Sequence, residues 1–172
     1  MAILIGEEIK KALQSGLIKV EPLEEAQIGP GSVDLTLGND FRIFRTGLAT
    51  YRIRDDSNFE DITELKHVGN DGSIVIDPGE MILGITKEKI TLPTNISGRL
   101  EGRSRFARFG LAVHVTAGFM QPGISNQQVL EIVNLGHTPL ALSPGTRICQ
   151  FIFEECKGEA EYKGRFSNQN KP

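Results

Sequence analysis

Nine residues, GRSRFARFG from Gly102 to Gly110, gather Arg103, Arg105 and Arg108 around Ser104, with Phe106, Ala107 and Phe109 between them. Arginine's planar fork matches phosphate oxygens, and a serine hydroxyl adds one more donor. If Arg103–Phe109 is helical, Ser104 and Arg108 share a face at i,i+4, with Arg105 and Arg108 near neighbours. The stretch is either a patch that holds an anion or a solvated face of ordinary ion pairs. It is not a Walker-type phosphate loop, because no Gly-x-x-x-x-Gly-Lys-Ser/Thr run is present. A second candidate is Glu131 in QQVLEIVN, which strict alternation points away from Leu130 and Ile132. Such a carboxylate either faces solvent or lines a pocket. In a pocket it can relay a proton from an attacking water to a ring nitrogen or a leaving amine. Gln127 and Gln128 beside it are less specific. HVTAGF, residues 114–119, offers Thr116 and two small residues, Ala117 and Gly118: backbone hydrogen bonds and room for a planar ring, or simply a tight strand end.

The composition bounds these readings. A net charge of −3 over 172 residues argues against general nucleic-acid binding, yet permits a small anion in a local basic pocket. Nineteen glycines and eight prolines imply many turns, which suits a β-rich domain with one core. Cys149 and Cys156 do not define a disulfide framework, so reduced thiols are expected. His67, His114 and His137 lie far apart, read as loop or core residues, and with no CxxC pair give no zinc signature. The start, MAILIGEEIKK, is too short for a membrane span and lacks a signal peptide's basic opening, so the expectation is a cytoplasmic protein.

The elements that must position these residues are mostly strands. Ile9, Ala12, Leu13 and Leu17 recur at helical spacing, predicting a short helix over Ile5–Leu17 that Gly16 weakens or ends. An extended segment follows around Leu17–Val20. After the Pro30-Gly31 turn, Val33, Leu35 and Leu37 alternate with Asp34 and Thr36 as in a strand. Asp34 either faces solvent or a cap, or organises a site or subunit contact. Residues 55–72 read as an outer loop or insertion. Beyond them, SIVI, MILGIT, VLEIVN and RICQFIF are strands, with turns at Asp77, Gln121 and Ser143. The polar tail from Lys157 is either disordered or a flap that orders over a ligand.

GSVDLTLG, GRSRFARFGLAVHVTAG, QPG, VLEIVN, PLALSPGTRICQFIFE and the terminal YKGRFSNQ together resemble the dCTP deaminases of the dUTPase-like superfamily. The likeness runs through most of the chain and is weakest over 45–72. It implies one domain over 1–172, mainly β, a distorted β-barrel or jelly-roll-like fold with short helices, whose tail at 157–172 closes the site. It also implies a homotrimer with active sites between subunits, Mg²⁺ carried on the nucleotide phosphates, no catalytic zinc, and neither nucleic-acid nor membrane partners. Glu131 would be the catalytic carboxylate, with Ser104 and Arg108 orienting water and stabilising charge. Arg103 and Arg105 would face the phosphates, with Phe106 and Ala107 in the same binding segment. Val115, Thr116, Ala117, Gln121, Val129 and Leu130 would surround base and sugar, and Gln150, Tyr162, Arg165 and Gln169 would complete the nucleotide site.

The chain departs from that pattern at chosen places. Arg105 stands where a second serine is usual, and Arg165 where lysine is common. Ile124-Ser125-Asn126 replaces an aromatic-x-Gly. Gln121 replaces an aspartate in the turn, and a neutral amide cannot serve as a base, which argues against cleaving dUTP to dUMP and diphosphate. The leading reading is therefore deamination of dCTP to dUTP and ammonia. A dUTP diphosphatase, alone or coupled to deamination, is a second reading, and a non-catalytic nucleotide-binding or assembly protein a third.

Overall fold

The computed structural model describes residues 2–172. Its first element is the helix α1 (Glu7–Gln14), shorter than the predicted span: Ile9 and Ala12 are buried, whereas Ile5 and Leu17 lie outside it and are exposed. Gly16 follows the helix at φ 74, a conformation that glycine adopts without strain. The extended segment is β1 (Lys19–Glu21).

The strand anticipated from GSVDLTLG continues to Phe44 as β2 (Val33–Phe44) and forms the hinge of the architecture. Val33, Leu35 and Leu37 are fully buried while Asp34 and Thr36 are half-buried, the alternation expected of a sheet with one face on the core. Within 55–72, which reads as an outer loop, a single 3₁₀ turn at Phe59–Asp61 leads into a further strand, β3 (Thr63–His67), hydrogen-bonded to β2. Alternation missed β3 because four of its five residues face solvent. The remaining strands are β4 (Ile74–Ile76), β5 (Met81–Thr91), β6 (Ile96–Gly102), β7 (Leu111–Val113), β8 (Phe119–Met120), β9 (Ser125–Asn134), β10 (Leu140–Leu142) and β11 (Arg147–Glu155). Between β6 and β7 a single helical turn forms within Arg103–Phe109, α2 (Ser104–Ala107).

Hydrogen bonding runs β7-β9-β5-β2-β11-β6-β8, with β1 added on β5, β3 on β2, and a separate β4–β10 pair. The start of β2 pairs with β11 and its end with β5 and β3, so β2 carries the sheet around a corner. Register shifts in the β2–β5, β5–β9 and β11–β2 pairs curl the sheet. At that corner a Cβ on Gly38 would come within 2.9 Å of the Ile85 carbonyl oxygen, so no side chain fits. Phe41, Phe151, Phe153, Leu35, Leu37 and Leu100 lie fully buried or nearly so inside the curl. No helix among the described residues is long and apolar enough to cross a membrane.

Candidate functional site

Strand β9 carries Glu131 opposite Leu83 of β5, one residue along from the fully buried Leu130. Next to it, β7 ends and the chain reverses through His114 at φ 60, the one described residue other than glycine with positive φ. A histidine in that region is strained, and the local bonding shows what holds it there. Its N–H donates to the Glu131 carbonyl (2.6 Å) and its ring Nε2 donates to the Ala117 carbonyl (2.8 Å). The reversal turns Thr116 toward Glu131. Thr116 N–H donates to Oε2 (2.7 Å) and its hydroxyl to Oε1 (2.6 Å), so one residue grips both carboxylate oxygens.

This grip sets the charge of Glu131. Partial burial pushes its pKa up, but the Thr116 hydroxyl and amide, with the nearby His114, outweigh burial and hold it below the ordinary carboxylate range. Glu131 is therefore ionised at neutral pH and available to accept a proton. Removing the hydroxyl with Thr116→Val raises that pKa. The acid limb of a pH–rate profile is then expected to move to higher pH, with turnover falling at acid pH and little changed above neutrality. An unmoved limb would show that another group controls it.

Glu131 opens into a cleft of about 420 Å³ that Ala117, Gln121, Val129, Tyr162 and Gln169 also line. Glu131 is the one carboxylate among the lining residues. The tail reaches the cleft by docking on β9. Gln127 N–H donates to the Gln169 carbonyl (3.1 Å), Gln169 Nε2 returns a bond to the Gln127 carbonyl (3.0 Å), and Asn126 Nδ2 donates to the Phe166 carbonyl (2.7 Å). The tail thus packs along β9 and contributes Tyr162, Phe166 and Gln169 to the lining of the cleft. Phe59, His114, Phe119, Asn126, Gln128 and Phe166 line the cleft too, although their sequence context did not single them out as site residues. His114 gives itself away only through backbone conformation, and Phe59 only through tertiary contact.

Other candidates lie elsewhere in the chain. Leu130 is packed in the core, so its side chain reaches no ligand, a consequence of the same alternation that exposes Glu131. Val115 is exposed beside Thr116. None of Arg103, Ser104, Arg105, Phe106, Ala107 or Arg108 lines the Glu131 cleft. Arg103 pairs with Asp34 (3.0 Å) and donates to the Arg147 carbonyl (2.6 Å), which resolves Asp34 as a group that organises the arginine segment. Gln150, nearby on β11, accepts from the Ser32 hydroxyl (2.8 Å) and donates to the Gly102 carbonyl (3.2 Å). Arg105 lies over the Phe106 ring at 5.5 Å, and Phe106 packs on the core, while Ser104, Ala107 and Arg108 are exposed. Arg165 contacts the 57–58 segment, with both guanidinium bonds at 3.2 Å. Cys149 is buried and Cys156 half-buried, both as free thiols, and burial pushes the Cys149 thiol far above its ordinary value.

The curled sheet has the fold of a solved 2′-deoxycytidine 5′-triphosphate deaminase from Agrobacterium tumefaciens, with a TM-score of 0.68 at 21% identity over 88% of this chain. The chain spans about half, 47%, of that longer one. The model of the dCTP deaminase-like family matches residues 3–156, and the chain belongs to that family. It is 44% identical to the dCTP deaminase, dUMP-forming, of Methanothermobacter thermautotrophicus, over 94% of this chain and 83% of that one. It is 38% identical to the dCTP deaminase of Natronomonas pharaonis, over 92% and 83% respectively.

Proposed function

We propose that this protein deaminates dCTP in the cytoplasm by adding water to C4 of the cytosine ring, releasing ammonia. The observation that carries this is Glu131: an ionised carboxylate, held at both oxygens by Thr116, in a cleft lined by amides and aromatic rings. Glu131 takes a proton from the attacking water as its oxygen bonds to C4, and passes it to N3. The C4–N4 bond of the tetrahedral intermediate then breaks, and the amine leaves as ammonia with the second water proton. Water is a weak nucleophile, so this route depends on positioning and on neutralising the charge that builds on the ring. Ser104 and Arg108 supply those functions from a neighbouring subunit of a homotrimer. Arg103 and Arg105 face the phosphates. Mg²⁺ carried on the triphosphate would offset its charge, and a cleft whose one lining carboxylate is Glu131 would leave the ion to the nucleotide.

In this reading the product is dUTP, because Gln121 lines the cleft where a second carboxylate would be needed to activate water against the phosphate chain. A second reading, dUMP and diphosphate, draws on relatives named dCTP deaminase, dUMP-forming, among them those from Methanothermobacter thermautotrophicus and Kocuria rhizophila. Separate incubations with dCTP and dUTP, following ammonia and diphosphate together, decide between them. Ammonia with dUTP left intact supports the first; diphosphate from either nucleotide supports the second. Turnover of neither supports a binding or assembly protein. If dUTP is left intact, Gln121→Asp restores a base and is expected to raise diphosphate release from dUTP at least about tenfold. An unchanged rate would show that Gln121 does not set the product.

A further inference from the structure

The segment between β2 and β3 delivers one side chain to the cleft, Phe59. It sits at the start of the 3₁₀ turn, where Asn58 Oδ1 accepts from Glu60 N–H (3.3 Å). Behind the ring lies Arg42 of β2, its guanidinium carbon 5.2 Å from the ring centroid and its side chain only 10% exposed. Nη2 donates to Glu60 Oε1 (2.7 Å), Nη1 to Thr63 Oγ1 (3.2 Å) and Nε to the Pro172 carbonyl (2.6 Å). A planar fork with three fixed acceptors has little freedom to rotate, and a cation facing an aromatic ring holds that ring in turn. The three acceptors belong to the turn that carries Phe59, to the first residue of β3, and to the tail that brings Tyr162, Phe166 and Gln169 over the cleft. Ile124, which also lines the cleft, is aliphatic, so flat surface for a ring must come from residues such as Phe59.

We propose that Phe59 is a specificity-determining wall of the cleft, packing against the pyrimidine ring, and that Arg42 is the positioning residue that sets this wall and ties it to the tail. The assignment rests on reading the cleft as the pyrimidine site. It predicts that the wall acts on the base and leaves the phosphates alone, and that Arg42 acts through Phe59.

Binding is measured by calorimetry in a Glu131→Gln background, so that turnover does not interfere, with dCTP and inorganic triphosphate as probes. Phe59→Ala is expected to weaken dCTP about tenfold, and Phe59→Tyr to stay within about threefold of the parent, with triphosphate unchanged in both. Arg42→Ala is expected to weaken dCTP comparably, yet to add less than about twofold once Phe59 is already alanine. Circular dichroism checks its folding; if Arg42→Ala unfolds, Arg42→Lys, which keeps the charge and loses the fork, takes its place in the cycle. Unchanged dCTP affinity in Phe59→Ala, or an equal loss for triphosphate, overturns the wall. Additive effects overturn the role of Arg42. A native protein that neither binds nor turns over a pyrimidine triphosphate overturns the functional reading and this assignment with it, whereas a parent that binds dCTP and ignores Phe59 overturns this assignment alone.

Discussion

Glu131→Gln is expected to reduce ammonia release from dCTP by about 10²–10⁴-fold, with dCTP affinity changed only a few-fold. The substitution is close to isosteric, and the bonding around Glu131 tolerates it. Thr116 N–H must donate, and the glutamine carbonyl oxygen can accept at the place of Oε2. The Thr116 hydroxyl donates to Oε1 in the native protein, but it can rotate to accept from the new amide. The turn at His114 and the cleft are thus preserved while the proton-accepting group is lost. A thousandfold loss corresponds to about 4 kcal/mol of barrier, far more than a few-fold change in affinity carries. Calorimetry and a coupled ammonia assay on the same preparation check both halves. Near-normal ammonia release would remove Glu131 from the mechanism. Loss of binding and turnover together would instead mean that its charge holds the cleft open.

Glu131 was legible in the sequence because strand alternation exposes a lone carboxylate between Leu130 and Ile132, and β9 follows that alternation throughout. The same regularity made the start of β2 readable, whereas β11 was readable as an apolar run, with Ile148-Cys149 and Phe153-Glu154 buried as adjacent pairs. What stayed hidden depends on contacts far apart in sequence. Nothing local distinguishes Phe59 from any phenylalanine in a polar loop; Arg42 on β2 and the tail near Pro172 give it meaning. His114 looked like a loop or core residue because a sequence does not display φ. The helix over Ile5–Leu17 was drawn too long because apolar spacing continues past Gly16, where the chain has already turned. The resemblance implies Leu130 in the nucleotide site, and period-two geometry turns its side chain into the core. Gln121 was legible as a departure, and it lines the cleft.

Mixing Arg108→Ala and Glu131→Gln chains, each expected to be nearly inactive alone, should restore about a quarter of native turnover. Ser104 and Arg108 are absent from the lining of the Glu131 cleft in their own chain, so a site that uses all three must draw them from two chains. The arginine segment leaves Ser104 and Arg108 exposed in their own chain. Arg103 is fixed on Asp34 and the Arg147 carbonyl, which anchors α2 while Ser104 and Arg108 remain exposed. Beside it, Phe109 and Leu135 are each 68% exposed, joined through the Leu135 N–H bond to the Gly110 carbonyl, an apolar surface suited to burial against another copy. If the proposed cyclic trimer forms, each site would take Glu131 from one chain and Arg108 from the next. With random equal mixing, half of the chains carry an intact Glu131 and half an intact Arg108, so about one site in four has both. Coexpression of the two variants with different tags, followed by tandem purification, removes the unmixed assemblies; every mixed trimer then has one site of three with both groups, so ammonia release per chain should rise from about a quarter in the unsorted pool to about a third. Activity no greater than that of the two parents would mean that Arg108 and Glu131 do not meet across chains.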